Sequence, residues 1–350
     1  MSLVLHVDGD RWRDHLRRFA AAHPGLVPVT KGNGYGFGNH RLARRAGWLG
    51  ADTLAVGTYD ELPDVAQRYD GDLLVLTPWR PFLPAAVTAV ADDRVLHTVG
   101  RLDDLAALAA APERPRVVLE RATSMRRHGF GARELREAAD LARRGGVRLE
   151  GVSMHLPLPG RSHLAEMETL LTDIVAAGTG GTGTVWVSHL GDDELAGLAR
   201  RHPDLRFRPR VGTDLWLGDR GALRVAATVL DAHPVARGDV YGYRGRTAPR
   251  SGTILVVSGG TAHGIGLEAP TAGSGLRDRA AAVARGGLDA LGLVRSPFTI
   301  DGKPRLFAEP PHMQCSMLFL PAGAEVPAVG SEVGVRVRHT ATTFDSVDYR

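Results

Sequence analysis

Residues 29–38 read VTKGNGYGFG. The apolar run LVPV ends at Thr30, and Lys31 stands next, in front of GNGYG, three glycines with an asparagine and a tyrosine. The run is short, rich in β-formers and bounded by turn residues, as a buried strand is. The glycines let the backbone turn sharply and approach a bound molecule closely. A strand that delivers a lysine to a glycine loop is the first half of a strand–loop–helix unit.

Outward from this stretch the pattern repeats. β-rich runs occupy 27–31, 53–58, 73–78, 95–99, 116–120, 149–156, 184–190 and 205–212. Between them lie segments such as ARELREAADLARRG and HLAEMETLLTDIVAAG, whose apolar residues recur at helical spacing. Eight strand–helix units predict an α/β fold with a (β/α)8 TIM barrel; a doubly wound open sheet is the alternative. After Gly218 the texture changes to runs such as TILVVSGG, MLFLP and VGVRVRHT, separated by turns. The expected organisation is a barrel over 9–220, then a mainly β C-terminal domain over 221–350 that also takes the first strand, 1–8. One helical insert, 275–291, interrupts the second domain and either reshapes a substrate entrance or makes a dimer contact.

Composition excludes several classes. The 350 residues are 43% hydrophobic and 23% charged, with a formal net charge of +4. No Lys/Arg block is long enough to suggest nucleic acid. No run approaches the roughly 18 apolar residues of a membrane span, and MSLVLHVDGDRW reaches Asp8 too early for a signal peptide. A single cysteine, Cys315, excludes a disulfide framework within one chain. A reducing, cytoplasmic location is expected.

Barrel enzymes place chemistry at the carboxyl ends of their strands. Those ends supply Lys31, Glu120 with Arg127 in the loop beyond it, His155, His189 and Arg210. Taken singly, each has a plainer reading: a rim lysine with its charge in water, a structural Glu120–Arg127 ion pair, or core histidines. Taken together they change Lys31. A lysine withdrawn from water at a barrel mouth has a lowered pKa and becomes a nucleophile towards carbonyls. Tyr35, one short loop away, carries a hydroxyl suited to a phosphate oxygen. A carbonyl-reactive lysine beside a phosphate loop suggests pyridoxal 5'-phosphate.

VTKGNGYGFG resembles the cofactor-lysine motif of the alanine racemase family, the fold-type III pyridoxal-phosphate enzymes. The resemblance implies a barrel carrying the cofactor and a β domain that completes the site across a homodimer. Lys31 is then the Schiff-base lysine and Tyr35 a phosphate ligand. ERATSMRRHGFG (120–131) is similar to the family segment ending in Met-Asn-Arg-Leu-Gly-Phe, which puts Arg127 at the cofactor's phenolic oxygen or the substrate side. Where the family often has a carbamylated lysine, this chain has Glu120, a carboxylate able to pair with Arg127 in the same way. GVSMHLPLPG sets His155 beside the ring, and WVSHL brings Ser188 or His189 to the phosphate. RPRVGTDLWLG puts Arg210 at the pyridine nitrogen, with the Gly212 and Thr213 N–H groups on the phosphate. A guanidinium does not give up its proton, so the ring nitrogen stays unprotonated, which suits racemisation. Met313, in PHMQCSM, stands where a backbone N–H reaches the substrate carboxylate.

One position departs from the family. The second catalytic base is a tyrosine in a Gly-Tyr-Ala-Asp-Gly segment, and here the matching stretch is GTAHG (260–264). Thr261 replaces the tyrosine, and an unassisted threonine hydroxyl is too weak a base near neutrality. His263, two positions on, is the candidate in its place; a surface or dimer-contact histidine is the plainer reading. His312 with Cys315 raises zinc, but two ligands do not make a site. The expectation is an isomerase-type, racemase-like enzyme taking the α-proton of an amino acid, with weak or altered activity on alanine. A non-catalytic pyridoxal-phosphate homeostasis protein and a fold-type III D-amino-acid lyase or aldolase are the alternatives.

Overall fold

The computed structural model describes residues 2–158, 162–179, 183–267 and 294–350. The segment 275–291 therefore lies outside the described residues. The chain divides into two compact units, Arg13–Gly218 and Met1–Trp12 with Asp219–Arg350.

The first unit is built on a closed parallel barrel of β2 (Val27–Thr30), β3 (Thr53–Val56), β4 (Asp72–Val75), β5 (Val95–Val99), β6 (Arg116–Arg121), β7 (Arg148–His155), β8 (Thr184–Ser188) and β9 (Arg206–Val211). The eight-stranded (β/α)8 fold class is the one expected. Pairing of Val27 with Arg210 and of Pro28 with Val211 closes the ring. Strand residues alternate between two layers. Val27, Val29, Ala55, Leu74, Leu96, Val118 and Trp186 fill the barrel interior. The intervening residues face the helices. There α6 (Ala132–Arg143) buries Leu135, Ala138, Ala139 and Ala142, and α7 (Leu164–Ala176) buries Met167, Leu170, Leu171 and Ile174. Both sets follow the i, i+3, i+4, i+7 spacing of one helix face, and full burial contributes about 1.5–3 kcal/mol per large aliphatic side chain.

Alternation also fixes the polar residues of the interior. On β9, Arg208 and Arg210 are two apart and share the inward face. Arg208 seals the amino-terminal end: it lies over the Trp186 ring at 4.6 Å, donates to Thr53 Oγ1 at 3.1 Å and pairs with Asp52. Arg210 is thereby left for the other end.

The second unit is a mostly antiparallel sheet in the order β13 (Gly252–Ser258), β16 (Cys315–Pro321), β15 (Lys303–Phe307), β14 (Arg295–Ile300), β17 (Glu332–Val335), β10 (Leu223–Val235), β1 (Leu3–Val7) and β18 (Ser346–Tyr349). β10 is long enough to pair twice. Its first half bonds β1 and β17, and beyond an irregularity at Val229/Asp231 its second half bonds β13, so the sheet closes on itself. No helix among the described residues is long and apolar enough to cross a membrane.

Candidate active site

Continuing the inward parity of each strand to its carboxyl end predicts what meets at the barrel mouth: Lys31 after Val29, Glu120 after Val118, Ser153 and His155 on β7, Ser188 after Trp186, and Arg210. Electrostatics agree that these groups are neighbours. Lys31 keeps solvent access at the mouth, yet its pKa falls because the surrounding barrel atoms withdraw water and because Arg127 and Arg210 repel it; Glu61 opposes the fall. Burial lowers the His155 pKa to about 3, with Arg210, Arg127, His189 and Lys31 adding to the shift. His155 is therefore a neutral imidazole at any ordinary pH. Its ring meets His189 edge-on, with centroids 4.9 Å apart. His189 adopts a left-handed backbone, φ 64°, and its Nδ1 faces the Leu156 carbonyl at 2.8 Å.

Glu120 and Arg210 are both buried and are joined through Ser153. The Ser153 hydroxyl donates to Glu120 Oε2 at 2.6 Å, and Arg210 Nη1 donates to Ser153 Oγ at 3.0 Å. Arg210 Nη2 donates to the Met154 carbonyl at 2.9 Å, which leaves Nε buried without a hydrogen-bond partner. Burial pushes the Glu120 carboxyl up, and Arg210, the Ser153 bond and Arg127 pull it back. Arg127 acts on Glu120 through its field, while the direct link runs to Arg210 through Ser153. Ser153 was not foreseen from the sequence, although its place two residues before His155 on the same strand face was there to be read.

The loop after Lys31 is held rigidly. Glu61 Oε1 accepts the Gly32 N–H at 2.6 Å, and Oε2 accepts those of Gly57 and Thr58 at 2.7 and 3.2 Å. One carboxylate thus joins the loops after β2 and β3; its signature was the capping box Thr58-x-x-Glu61. Tyr35 sits in a left-handed conformation, φ 55°, which a non-glycine residue keeps only when its surroundings enforce it. Its ring is buried, and burial raises its pKa to about 12, so the hydroxyl keeps its proton. That hydroxyl lies against Gly212, where an added Cβ would come within 1.8 Å of it. Gly212 and Thr213 open the short helix α9 (Thr213–Leu217), whose first N–H groups have no partner within the helix.

The β unit gathers the other candidates. Thr261 and His263 form a 3-10 turn tied to the strand approach by Thr261 N–H to the His312 carbonyl at 2.8 Å and Ala262 N–H to the Met313 carbonyl at 2.9 Å. Met313 is exposed. His263 is buried, and both ring nitrogens are engaged: Nδ1 accepts the Gly260 N–H at 3.2 Å, so Nε2 carries the proton and faces Asp345 Oδ1 at 3.2 Å. Cys315 Sγ lies 3.8 Å from His312 Nδ1, and His312 Nε2 lies 2.7 Å from buried Glu309. Among the described residues, no group of three or more His, Cys, Asp or Glu side chains is arranged to hold a metal ion.

A (β/α)8 barrel with cations converging at its mouth, followed in the chain by a mainly β unit, defines a class, the fold-type III architecture. The family model for the alanine racemase N-terminal domain matches residues 7–177. The alanine racemase of Nitratidesulfovibrio vulgaris is 30% identical over 276 residues, 71% of each chain. Among solved structures, alanine racemase from E. faecalis superposes with a TM-score of 0.70 at 19% identity, over 99% of this chain and 98% of that one. The Bartonella henselae alanine racemase, described with covalently bound pyridoxal phosphate, gives 0.69 at 17% identity over 97% and 91%. The chain belongs to the alanine racemase family.

Proposed function

We propose that this chain is a pyridoxal-phosphate-dependent, racemase-like enzyme that moves the α-proton of an amino acid. The observation that carries the reading is the buried, unpartnered Nε–H of Arg210 at the same mouth as a lysine of lowered pKa. A buried donor without an acceptor is costly, and a pyridine nitrogen is a neutral acceptor of the right kind. The remaining donors suit the other end of the same molecule: the Tyr35 hydroxyl against Gly212, the Ser188 hydroxyl, and the N–H groups of Gly212 and Thr213 for a phosphate. When bound, the cofactor supplies electron withdrawal from the substrate's α-carbon.

The protein's own part is positional and acid–base. Lys31 Nζ would hold the cofactor and, as a free amine, would take the substrate's α-proton on one face. Burial, Arg127 and Arg210 lower its pKa, which favours the free amine over the ammonium. Arg210 offers a hydrogen bond and keeps its proton. Neutral His155 packs beside the ring without adding charge. Arg127, steadied by the field of Glu120, serves the phenolic oxygen or the substrate, and the Met313 N–H meets the substrate carboxylate in a homodimer of the family type. Thr261 or His263 serves the opposite face. His263 must first give up either the Gly260 N–H or Asp345, which makes protonation on that face slow.

Deuterium wash-in tests this. With L- or D-alanine in heavy water, Cα exchange with retained configuration outpaces inversion at least about tenfold. Inversion as fast as exchange would mean that a competent second base is present, and neither exchange nor inversion with any amino acid would refute the enzymatic reading.

A further inference from the structure

The loops that follow β4, β5 and β6 line an open, solvent-facing cavity of about 610 Å³ in the barrel unit. Its wall carries Arg80, Arg101, Arg126, Arg127 and His128 against two carboxylates, Asp103 and Glu134. Glu134 is partly committed, accepting the Gly131 N–H at 3.0 Å, and Asp103 stands 4.0 Å from Arg101 of the same wall. Behind the wall, buried Asp104 pairs with Arg80 and lies 3.9 Å from Arg101. Among the described residues, no carboxylate lies within ion-pair distance of Arg126 or Arg127. Two exposed guanidinium groups without a carboxylate partner among the described residues adjoin in sequence in one loop, across the cavity from the ion-paired Arg80 and Arg101.

The loop that presents them is over-determined. Thr123 Oγ1 donates to the His155 carbonyl at 2.6 Å and accepts the Met125 N–H at 3.2 Å. Ser124 donates to Glu166 through both its N–H and its hydroxyl, at 2.6 and 2.8 Å. At the far end Phe130 N–H returns to the Glu120 carbonyl at 2.8 Å. Within this frame Arg126 is held left-handed, φ 51°, with its N–H on the Thr123 carbonyl at 2.9 Å. An arginine kept where glycine would be relaxed, with its charge unpaired and turned to a cavity, signals a use for that charge. Arginine forks bind carboxylate and phosphate in a planar, bidentate way.

We propose that this cavity is an oxyanion subsite that receives the distal carboxylate or phosphate of an amino-acid substrate larger than alanine. It deepens the reading above and rests on it, because Arg127 belongs to both places: its charge bears on Lys31 and it lines the cavity. The shared chemistry is a tetrahedral or planar oxyanion carried by a molecule whose α-amino end is at Lys31. A cavity of this size holds more than a methyl group.

Calorimetry on the holoenzyme decides it, with L-alanine, L-glutamate, O-phospho-L-serine and inorganic phosphate as probes. The acidic amino acids bind at least about tenfold tighter than alanine, and the advantage shrinks as salt rises. Whichever of glutamate and phosphoserine binds tighter identifies carboxylate or phosphate as the natural group. Arg126→Gly relieves the left-handed backbone, so it raises Tm while weakening the acidic probe at least about fivefold. Arg101→Ala weakens it similarly. Equal affinity for alanine and the acidic probes would overturn the proposal, as would affinities untouched by Arg126→Gly. Inorganic phosphate binding as tightly as phosphoserine would overturn it as a substrate subsite. The yellow absorption band reports separately on the cofactor, and probe affinities are read whether or not that band is present, so failure of one reading is distinguishable from failure of the other.

Discussion

At Gly212 a missing side chain makes room for a neighbour's hydroxyl. The Tyr35 oxygen occupies the space where any Cβ would go, and Tyr35 cannot retreat because its own backbone is fixed left-handed. Gly212→Ala therefore forces the tyrosine off the barrel wall. The expected cost is about 1–3 kcal/mol, seen as a lower Tm, together with weaker cofactor retention on dialysis; an unchanged Tm would show that the loop yields freely. The two residues lie far apart in sequence, and nothing in either motif announces their contact. Lys31 and Arg210 were legible because each ends a strand and follows its inward parity. Ser153, which joins Glu120 to Arg210, was not: a serine inside a strand carries no signal until its neighbours on the adjoining strands are known. The left-handed φ of Arg126 was equally hidden, since arginine seldom marks such a turn.

At the scale of elements, the helix periodicity and the strand count came through plainly, and the strand ends less so. The runs at 53–58 and 73–78 stop as strands at Val56 and Val75. Gly57 and Thr58 leave the sheet because their N–H groups bond Glu61, and Thr77 bonds the Gly57 carbonyl through both N–H and hydroxyl. Local side-chain acceptors compete with the ladder there. Glu61 also governs the lysine loop. Replacing it by alanine removes the acceptor of three N–H groups and is expected to cost about 1–3 kcal/mol. Because Glu61 raises the Lys31 pKa, its loss lowers that pKa further. The pH midpoint of amine labelling at Lys31 should shift down in Glu61→Ala; an upward shift would contradict the geometry. In the β unit, β1 and β18 come from opposite ends of the chain and pair in parallel, β1 lying between β10 and β18. Asp345 secures them, accepting the Leu3 N–H at 2.7 Å and facing His263. This long-range clasp has no local sequence pattern.

Across the whole molecule, among the described residues, burial lowers the pKa of four histidines, His97, His128, His155 and His339, and three of them far enough to matter for stability. His97 has its pKa lowered to about 4, His155 to about 3 and His339 to about 4. Unfolded, each takes up a proton near pH 6.5. Between about pH 6.5 and 4 the unfolded chain thus binds more protons than the folded one, and stability falls as pH falls through that window. Glu120, with its carboxyl pushed up, works in the opposite sense over the range above its ordinary carboxylate value. Fully buried His97 alone can account for about 3 kcal/mol over that interval. Tm measured from pH 7 to 4 should drop, and His97→Gln, which keeps a partner for the Tyr59 hydroxyl, should flatten the slope. A slope identical to that of the unsubstituted protein would show His97 to be already charged when folded.

The central claim is that the cofactor is carried at position 31, and the composition makes it unusually direct to test. The chain contains only two lysines, Lys31 and Lys303. Lys303 lies on β15 with its ammonium exposed, 3.6 Å from Asp301. Borohydride reduction of the protein loaded with pyridoxal phosphate, followed by peptide mass mapping, is predicted to find the pyridoxyl mass on the peptide containing Lys31 and none on that containing Lys303. An unmodified Lys31 peptide, or equal labelling of the two, would contradict the account.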